Sequence, residues 1–188
     1  MSLTTLANVK TFKNITASEH DVELLRLIPA VDAFVNQHCV RTIEQATVTE
    51  KHSSRKGQSR LILKQPPVAS ITSIHDDPDR VYGSGTILTA NTDYVLENPE
   101  AGIVIFDEHS TKGGIHNLQV IYVGGFSPVP KDLEQAAIEL VWLARMKGDQ
   151  ALLGLQSKSI ADGSVQVLKT DWPAGVKAIL DSYRLVRV

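Results

Sequence analysis

Leu24, Leu27, Ile28, Val31, Phe34 and Val35 recur at spacings of three and four residues, with Glu23, Arg26, Asp32 and Asn36 off that stripe. The period predicts one long amphipathic helix over 19–39. Thr16 followed by Glu19, or Ser18 followed by Asp21, has the spacing of a capping box, in which side chains satisfy free amides of the first turn. Ahead of it, Thr4 or Thr5 can cap a short helix reaching residues 10–13, and 14–18 reads as a turn. Pro29 falls inside the stripe. It lacks an amide proton and its ring crowds the preceding turn, so a kink or break is expected over 25–29.

Over 41–125 the pattern changes. Short runs rich in Val, Ile and Thr at 42–50, 60–64, 68–75, 87–96, 102–106 and 118–123 are each bounded by Gly, Pro, Asn or Asp. This is the pattern of an antiparallel meander. In the last run Leu118, Val120 and Tyr122 alternate with Gln119, Ile121 and Val123, so both faces carry apolar residues and the strand is expected to be central. The clusters Gly83-Ser84-Gly85, Gly113-Gly114 and Gly124-Gly125 fall between strands, where glycine supplies positive φ for turns.

Helical spacing returns after Pro128 and Pro130. Asp132 and Glu134 suit the positive end of a helix dipole, and Arg145 and Lys147 suit its other end before Gly148. Leu133, Ala136, Ala137, Leu140, Val141 and Ala144 form a stripe that Ile138 and Trp142 widen beyond what one core needs. Ile138 and Trp142 are therefore the expected subunit interface. A hairpin over 159–168 turning at Asp162-Gly163 follows, then a helix entered through Asp171, Trp172 and Pro173, with Val176, Ile179, Leu180 and Tyr183 on one face. Leu25, Val31, Leu140 and Ile179 are expected to share the core. Leu185, Val186, Arg187 and Val188 form an apolar, strand-like end suited to docking on a partner. The whole reads as α+β: a helical body from 1–41 and 126–188, with an antiparallel β region at 42–125 inserted, within a single domain overall.

With 188 residues, 43% hydrophobic and 21% charged, the chain can bury one core with an insertion. A net charge of -2 gives no global positive field, so any DNA contact must be local. No basic leader followed by an apolar stretch opens the sequence, and no run of about 18 uncharged apolar residues occurs, so neither secretion nor membrane spanning is expected. The single cysteine, Cys39, sits in an apolar helical stretch as a small core residue suited to a reducing cytoplasm. As a nucleophile it would want a nearby histidine, and adjacent His38 points about 100° away on a helix.

Phosphate-loop, dinucleotide, nucleophile-elbow and zincin signatures are absent from the sequence. His75-Asp76-Asp77-Pro78-Asp79 offers possible cation ligands but lacks the alternation and closing glutamate of a calcium loop, and reads as a solvated acidic turn. Residues 51–60 carry Lys51, Arg55, Lys56 and Arg60 without an acidic residue, as a protruding hairpin tip. Arg55, Lys56 and Arg60 could meet DNA phosphates; a mobile solvated loop is the favoured reading, since no aromatic is interleaved for base stacking. No catalytic, cofactor-binding or metal-binding residue is assigned, and the chain reads as a non-enzyme.

Residues 3–10, 21–28 and 38–41 look like the short helix, capped turn and long helix that open one phage family. Pro67-Val68-Ala69-Ser70-Ile71-Thr72-Ser73-Ile74 looks like its central strand. Val120-Ile121-Tyr122-Val123-Gly124-Gly125-Phe126, leading through Pro130, and the ends 157–165 and 173–184 are similar to its remaining segments. On these the chain resembles the head-tail connector (adaptor, head completion) family of tailed bacteriophages. It departs at Pro29, at Ala161 where glycine is frequent, and in a long β insertion. The resemblance implies a structural virion protein that needs no cofactor and touches no membrane. It implies a ring, dodecameric in the virion, beneath the portal protein, extending the DNA channel without sequence-specific binding and receiving a downstream tail or stopper protein. It places the protein at the head-tail interface, and in host cytoplasm during assembly. Another tail-completion or stopper ring protein is the alternative, and a small ligand-binding β module a third reading.

Overall fold

The computed structural model describes residues 2–149, 157–160, 163–166 and 172–185. In chain order the elements are α1 (Leu6–Phe12), α2 (Asp21–Cys39), β1 (Ala46–Ser54), β2 (Arg60–Ile62), β3 (Val68–Asp76), β4 (Tyr94–Asn98), β5 (Ile103–Phe106), β6 (Gly114–Gly124), α3 (Lys131–Asp149), β7 (Ser157–Ile160), β8 (Gly163–Gln166) and α4 (Ala174–Ser182). The fold is α+β, with helices at both ends and the β region inserted between them. It divides into a helical unit, Met1–Ile43 with Val129–Val188, and a β unit, Glu44–Pro128.

In the helical unit, the Thr5 hydroxyl caps α1 by accepting from the Asn8 amide at 3.2 Å. Neither capping box forms at α2, which starts two residues later than expected, behind His20, without a side-chain cap. The Asp21 carboxylate instead takes the Lys10 ammonium at 2.8 Å, tying α2 to α1. α2 runs unbroken through Pro29. The carbonyl that proline leaves without a partner belongs to Leu25, and Leu25 and Pro29 both lie on the solvent face, where water can serve it. For the same reason Leu25, 56% exposed, is not in the core that Leu24, Ile28, Val31, Val35 and Cys39 form.

α3 passes through Gly148 instead of ending before it. It touches α1, α2 and α4, and this threefold packing explains its wide apolar arc. Leu133, Ala136, Ala137 and Val141 are fully buried, and Ile138 and Trp142 are each only 6% exposed. The Trp142 indole N–H donates to the Val9 carbonyl at 3.0 Å, so α1 covers the flank assigned above to a neighbouring subunit. Ile138 and Trp142 are core residues, and the interface expectation loses its basis. α4 buries Val176 and Leu180, while Ile179 is half-buried. β7 and β8 pair antiparallel, Ser157 opposite Gln166, as a hairpin; its turn residues Ala161 and Asp162 lie outside the described residues.

The β unit is not a meander. All its strand pairs are antiparallel, but the sheets run β1-β6-β3 and β2-β5-β4. β6, the last strand, enters between the first and third, where both faces can be covered, and it is central as its apolar alternation requires. Leu118, Val120 and Tyr122 from β6 share one core with Leu61, Val104 and Phe106 of the other sheet. Of the expected 87–96 run only the last three residues are strand, the start of β4, because the Asp93 carboxylate accepts from the Thr89 amide at 2.6 Å and closes a turn. Gly83 has ordinary negative φ and Gly85 is not left-handed either; the requirement is real at Gly125, whose φ is +104° and where a Cβ would stand 2.5 Å from the Glu44 carbonyl.

Candidate functional site

The register of the first sheet brings Ser54, Gly114 and Asp76 to one end: Ser54 lies opposite Gly114, and Asp76 opposite Leu118. Connections 55–59, 77–86 and 107–113 therefore leave from, or return to, the same edge of the fold. A buried carboxylate organises them. Asp76 is 1% exposed and accepts from His109 Nε2 at 2.7 Å, the Lys112 amide at 2.8 Å and Asn117 Nδ2 at 2.8 Å. Asn117, itself fully buried, takes the Ser54 amide on its Oδ1 at 2.9 Å. One side chain thus joins three segments.

The run 75–79 is not a solvated acidic turn: His75, Asp76 and Asp77 are all buried, and only Pro78 and Asp79 are exposed. The Asp77 carboxylate accepts from the amides of Tyr82 at 2.7 Å, Val81 at 2.9 Å and Asp79 at 3.0 Å. These N–H groups, Tyr82's foremost, hold its pKa below the usual carboxylate range. Its oxygens are committed to the backbone. Among the described residues no three His, Cys, Asp or Glu side chains are placed to share a metal ion.

Residues 51–60 do not form a hairpin tip, since β1 and β2 belong to different sheets. Nor does the turn hang free. Thr111, fully buried, donates its hydroxyl to the Arg55 carbonyl at 2.7 Å and accepts the Gln58 amide at 2.8 Å, and its carbonyl takes the Gly57 amide at 2.9 Å. Gly113, with φ +79°, lets the returning chain pass so close that a Cβ would stand 2.7 Å from the Lys56 amide nitrogen. Arg55, Lys56 and Arg60 are consequently exposed side chains on a backbone clamped from below.

A second buried knot lies in the same sheet. Glu50 accepts from the Tyr122 hydroxyl at 2.5 Å, His52 Nε2 at 2.7 Å and the Lys64 amide at 3.2 Å. Burial alone would raise its pKa, but the hydrogen bonds from His52 and Tyr122 outweigh burial and hold it below its ordinary value. A depressed carboxyl contributes stability that is present above the ordinary carboxylate range and is lost as pH falls through the folded value. Denaturant midpoints of the native chain should therefore fall on acidification below about pH 5, and Glu50→Gln should flatten that slope. An unchanged slope would refute the assignment.

In the helical unit, Cys39 is fully buried, and burial pushes its thiol pKa up, away from thiolate chemistry. His38 is held by Asp181 at 2.7 Å, its ring 4.7 Å edge-on from Trp172. Trp172 also meets Phe34 at 4.8 Å, and with Leu27, Ala30, Leu140 and Leu143 these rings line an apolar groove of about 350 Å³. The Leu185 amide donates to the Cys39 carbonyl at 3.0 Å; Val186, Arg187 and Val188 lie outside the described residues.

The described residues build supports for loops at one end of the β unit and an apolar groove in the helical unit. The chain belongs to the head completion protein family, whose pattern it matches over residues 2–186. It is a structural head-tail connector protein of a phage-like virion. Three solved structures share its fold, each with a TM-score of 0.57. A chain in the neck of a native GTA particle with C12 symmetry is 18% identical, with 88% of this chain and 84% of that one covered. One in the neck of an empty GTA particle with C6 symmetry is 18% identical over 97% and 89%. One in the virion of a native gene transfer agent particle is 22% identical over 94% and 83%. No curated protein matches the sequence.

Proposed function

We propose that copies of this chain assemble as a ring, dodecameric in the virion, beneath the portal protein, and that the ring continues the DNA channel and receives the next tail-side or stopper protein. The observation that carries this reading is the family match across residues 2–186. The neck chain whose particle has C12 symmetry supports the ring. The protein has no catalytic role, waits in the host cytoplasm during assembly, and reaches the portal through its C-terminal residues Leu185, Val186, Arg187 and Val188. A template that holds many copies together raises their effective concentration, so weak lateral contacts suffice and the free chain is monomeric. Native mass spectrometry with and without portal tests this. Portal adducts carrying multiple copies are expected, and their loss on deleting 185–188 with the fold intact. A chain that stays monomeric and unbound in the presence of portal would defeat the assignment.

A further inference from the structure

We propose that the clamped turn at 55–60 is a binding surface for the phosphate backbone of duplex DNA, with Arg55, Lys56 and Arg60 as contact residues. The sequence alone favours a mobile, solvated loop because no aromatic is interleaved for stacking; in the structure the turn is held in place, and contact with duplex phosphates needs no stacking. Thr111 holds the turn by hydrogen bonds of 2.7, 2.8 and 2.9 Å, and Asp76 with Asn117 ties the same end of the sheet together. A basic side chain on a fixed backbone loses less freedom on meeting a phosphate than one on a floppy tip. Arg55, Lys56 and Arg60 are exposed, and no carboxylate pairs with them among the described residues, so their charge is not already neutralised. Exposed Lys51 and Lys112 flank the turn. The exposed acidic residues Asp107 and Glu108 follow β5, and their amides are bonded toward Asp93 and Thr92 on the β4 side.

The chemistry selects backbone over bases, and duplex over single strand. Phe106, whose amide is bonded to the Ser59 carbonyl, is buried, and Tyr82 is engaged: its hydroxyl donates to the His116 carbonyl at 2.5 Å, the Lys51 ammonium sits 4.9 Å over its ring, and His75 meets it edge-on at 6.3 Å. Neither ring is presented as an open platform for base stacking, which single-strand binders use. What remains is point charge matched to phosphate, indifferent to sequence and sensitive to salt.

This inference takes its setting from the ring reading, but its test uses the isolated full chain. Fluorescence anisotropy with a labelled duplex of about 30 base pairs, from about 25 to 200 mM salt, reads the affinity and its salt slope. Replacing Arg55, Lys56 and Arg60 with Ser should weaken binding at least tenfold at low salt. It should reduce the slope of log affinity against log salt by about 2 to 3, at roughly 0.9 per lost phosphate contact. A control that removes equal charge from the helical unit, Lys13, Arg26 and Lys177 to Ser, should leave both unchanged. The proposal is overturned if the native chain does not bind at the lowest salt, if the control loses as much as the test variant, or if single strands bind more tightly than duplex. Equal binding to polyglutamate of matched charge would also overturn it, assigning the turn to an acidic protein instead. A chain that binds duplex through the turn but never joins portal would overturn only the ring.

Discussion

Replacing Trp142 with Ala is expected to destabilise the protein by about 3 to 5 kcal/mol, because it removes a large side chain from a site that cannot collapse around the space. Trp142 is 6% exposed, and its indole N–H is bonded to the Val9 carbonyl, so truncation opens a cavity between α1 and α3 and strips α1 of an anchor. Urea unfolding followed by far-ultraviolet circular dichroism measures it. Had Trp142 faced a neighbouring subunit, the same change would leave monomer stability within about 0.5 kcal/mol and weaken only association. The two outcomes are well separated.

Asp76→Ala should cost a comparable amount, about 3 to 5 kcal/mol, by leaving a buried network without its acceptor. The His109 ring, the Lys112 amide and the Asn117 side-chain amide would all lose their common partner away from water. The damage should be uneven. Amide exchange should accelerate first over 109–114, and the helical unit's amides should respond only to the global loss of stability. A variant with native midpoint and native exchange at Lys112 would show that the carboxylate is dispensable.

The helices and the centrality of β6 were legible because they depend on local period. Leu24, Ile28, Val31 and Val35 show their spacing whatever packs against them, and β6 announces two covered faces through unbroken alternation. Pairing was not legible. β1 and β2 are neighbours in sequence and look like a hairpin around a basic tip, yet their partners, β6 and β5, lie far along the chain. Asp76 and Asp77 stand in an acidic run that looks solvated; the donors to Asp76 arrive with Lys112 and Asn117, and those to Asp77 come from the backbone of the turn that follows it. One signal was available: Asn117 interrupts the start of the most apolar strand, and a buried amide needs partners. The width of the α3 arc was also a true signal, attached to the wrong cover. α1 is seven residues long and, apart from Val9, keeps its side chains at least partly exposed, so nothing in its own pattern advertises that it lids Trp142.

The place at which the β unit interrupts the helical one bears on the order in which the chain can fold. α2 ends at Cys39 and α3 begins at Lys131, so the two must meet across an intervening stretch of roughly 90 residues, most of it the β unit. Closing so long a loop from a random coil costs about 4 kcal/mol of chain entropy before any helix contact repays it. The β unit meets that cost on its own account, because its two ends are joined internally: Glu44 bridges Phe126, and the Gln45 amide donates to the Phe126 carbonyl at 3.1 Å. Once those strands have condensed, the two ends of the insertion are held together and the helical halves start from proximity. An insertion whose own ends are joined lets the two helical halves meet without closing that loop afresh, although the first half leaves the ribosome well before the second.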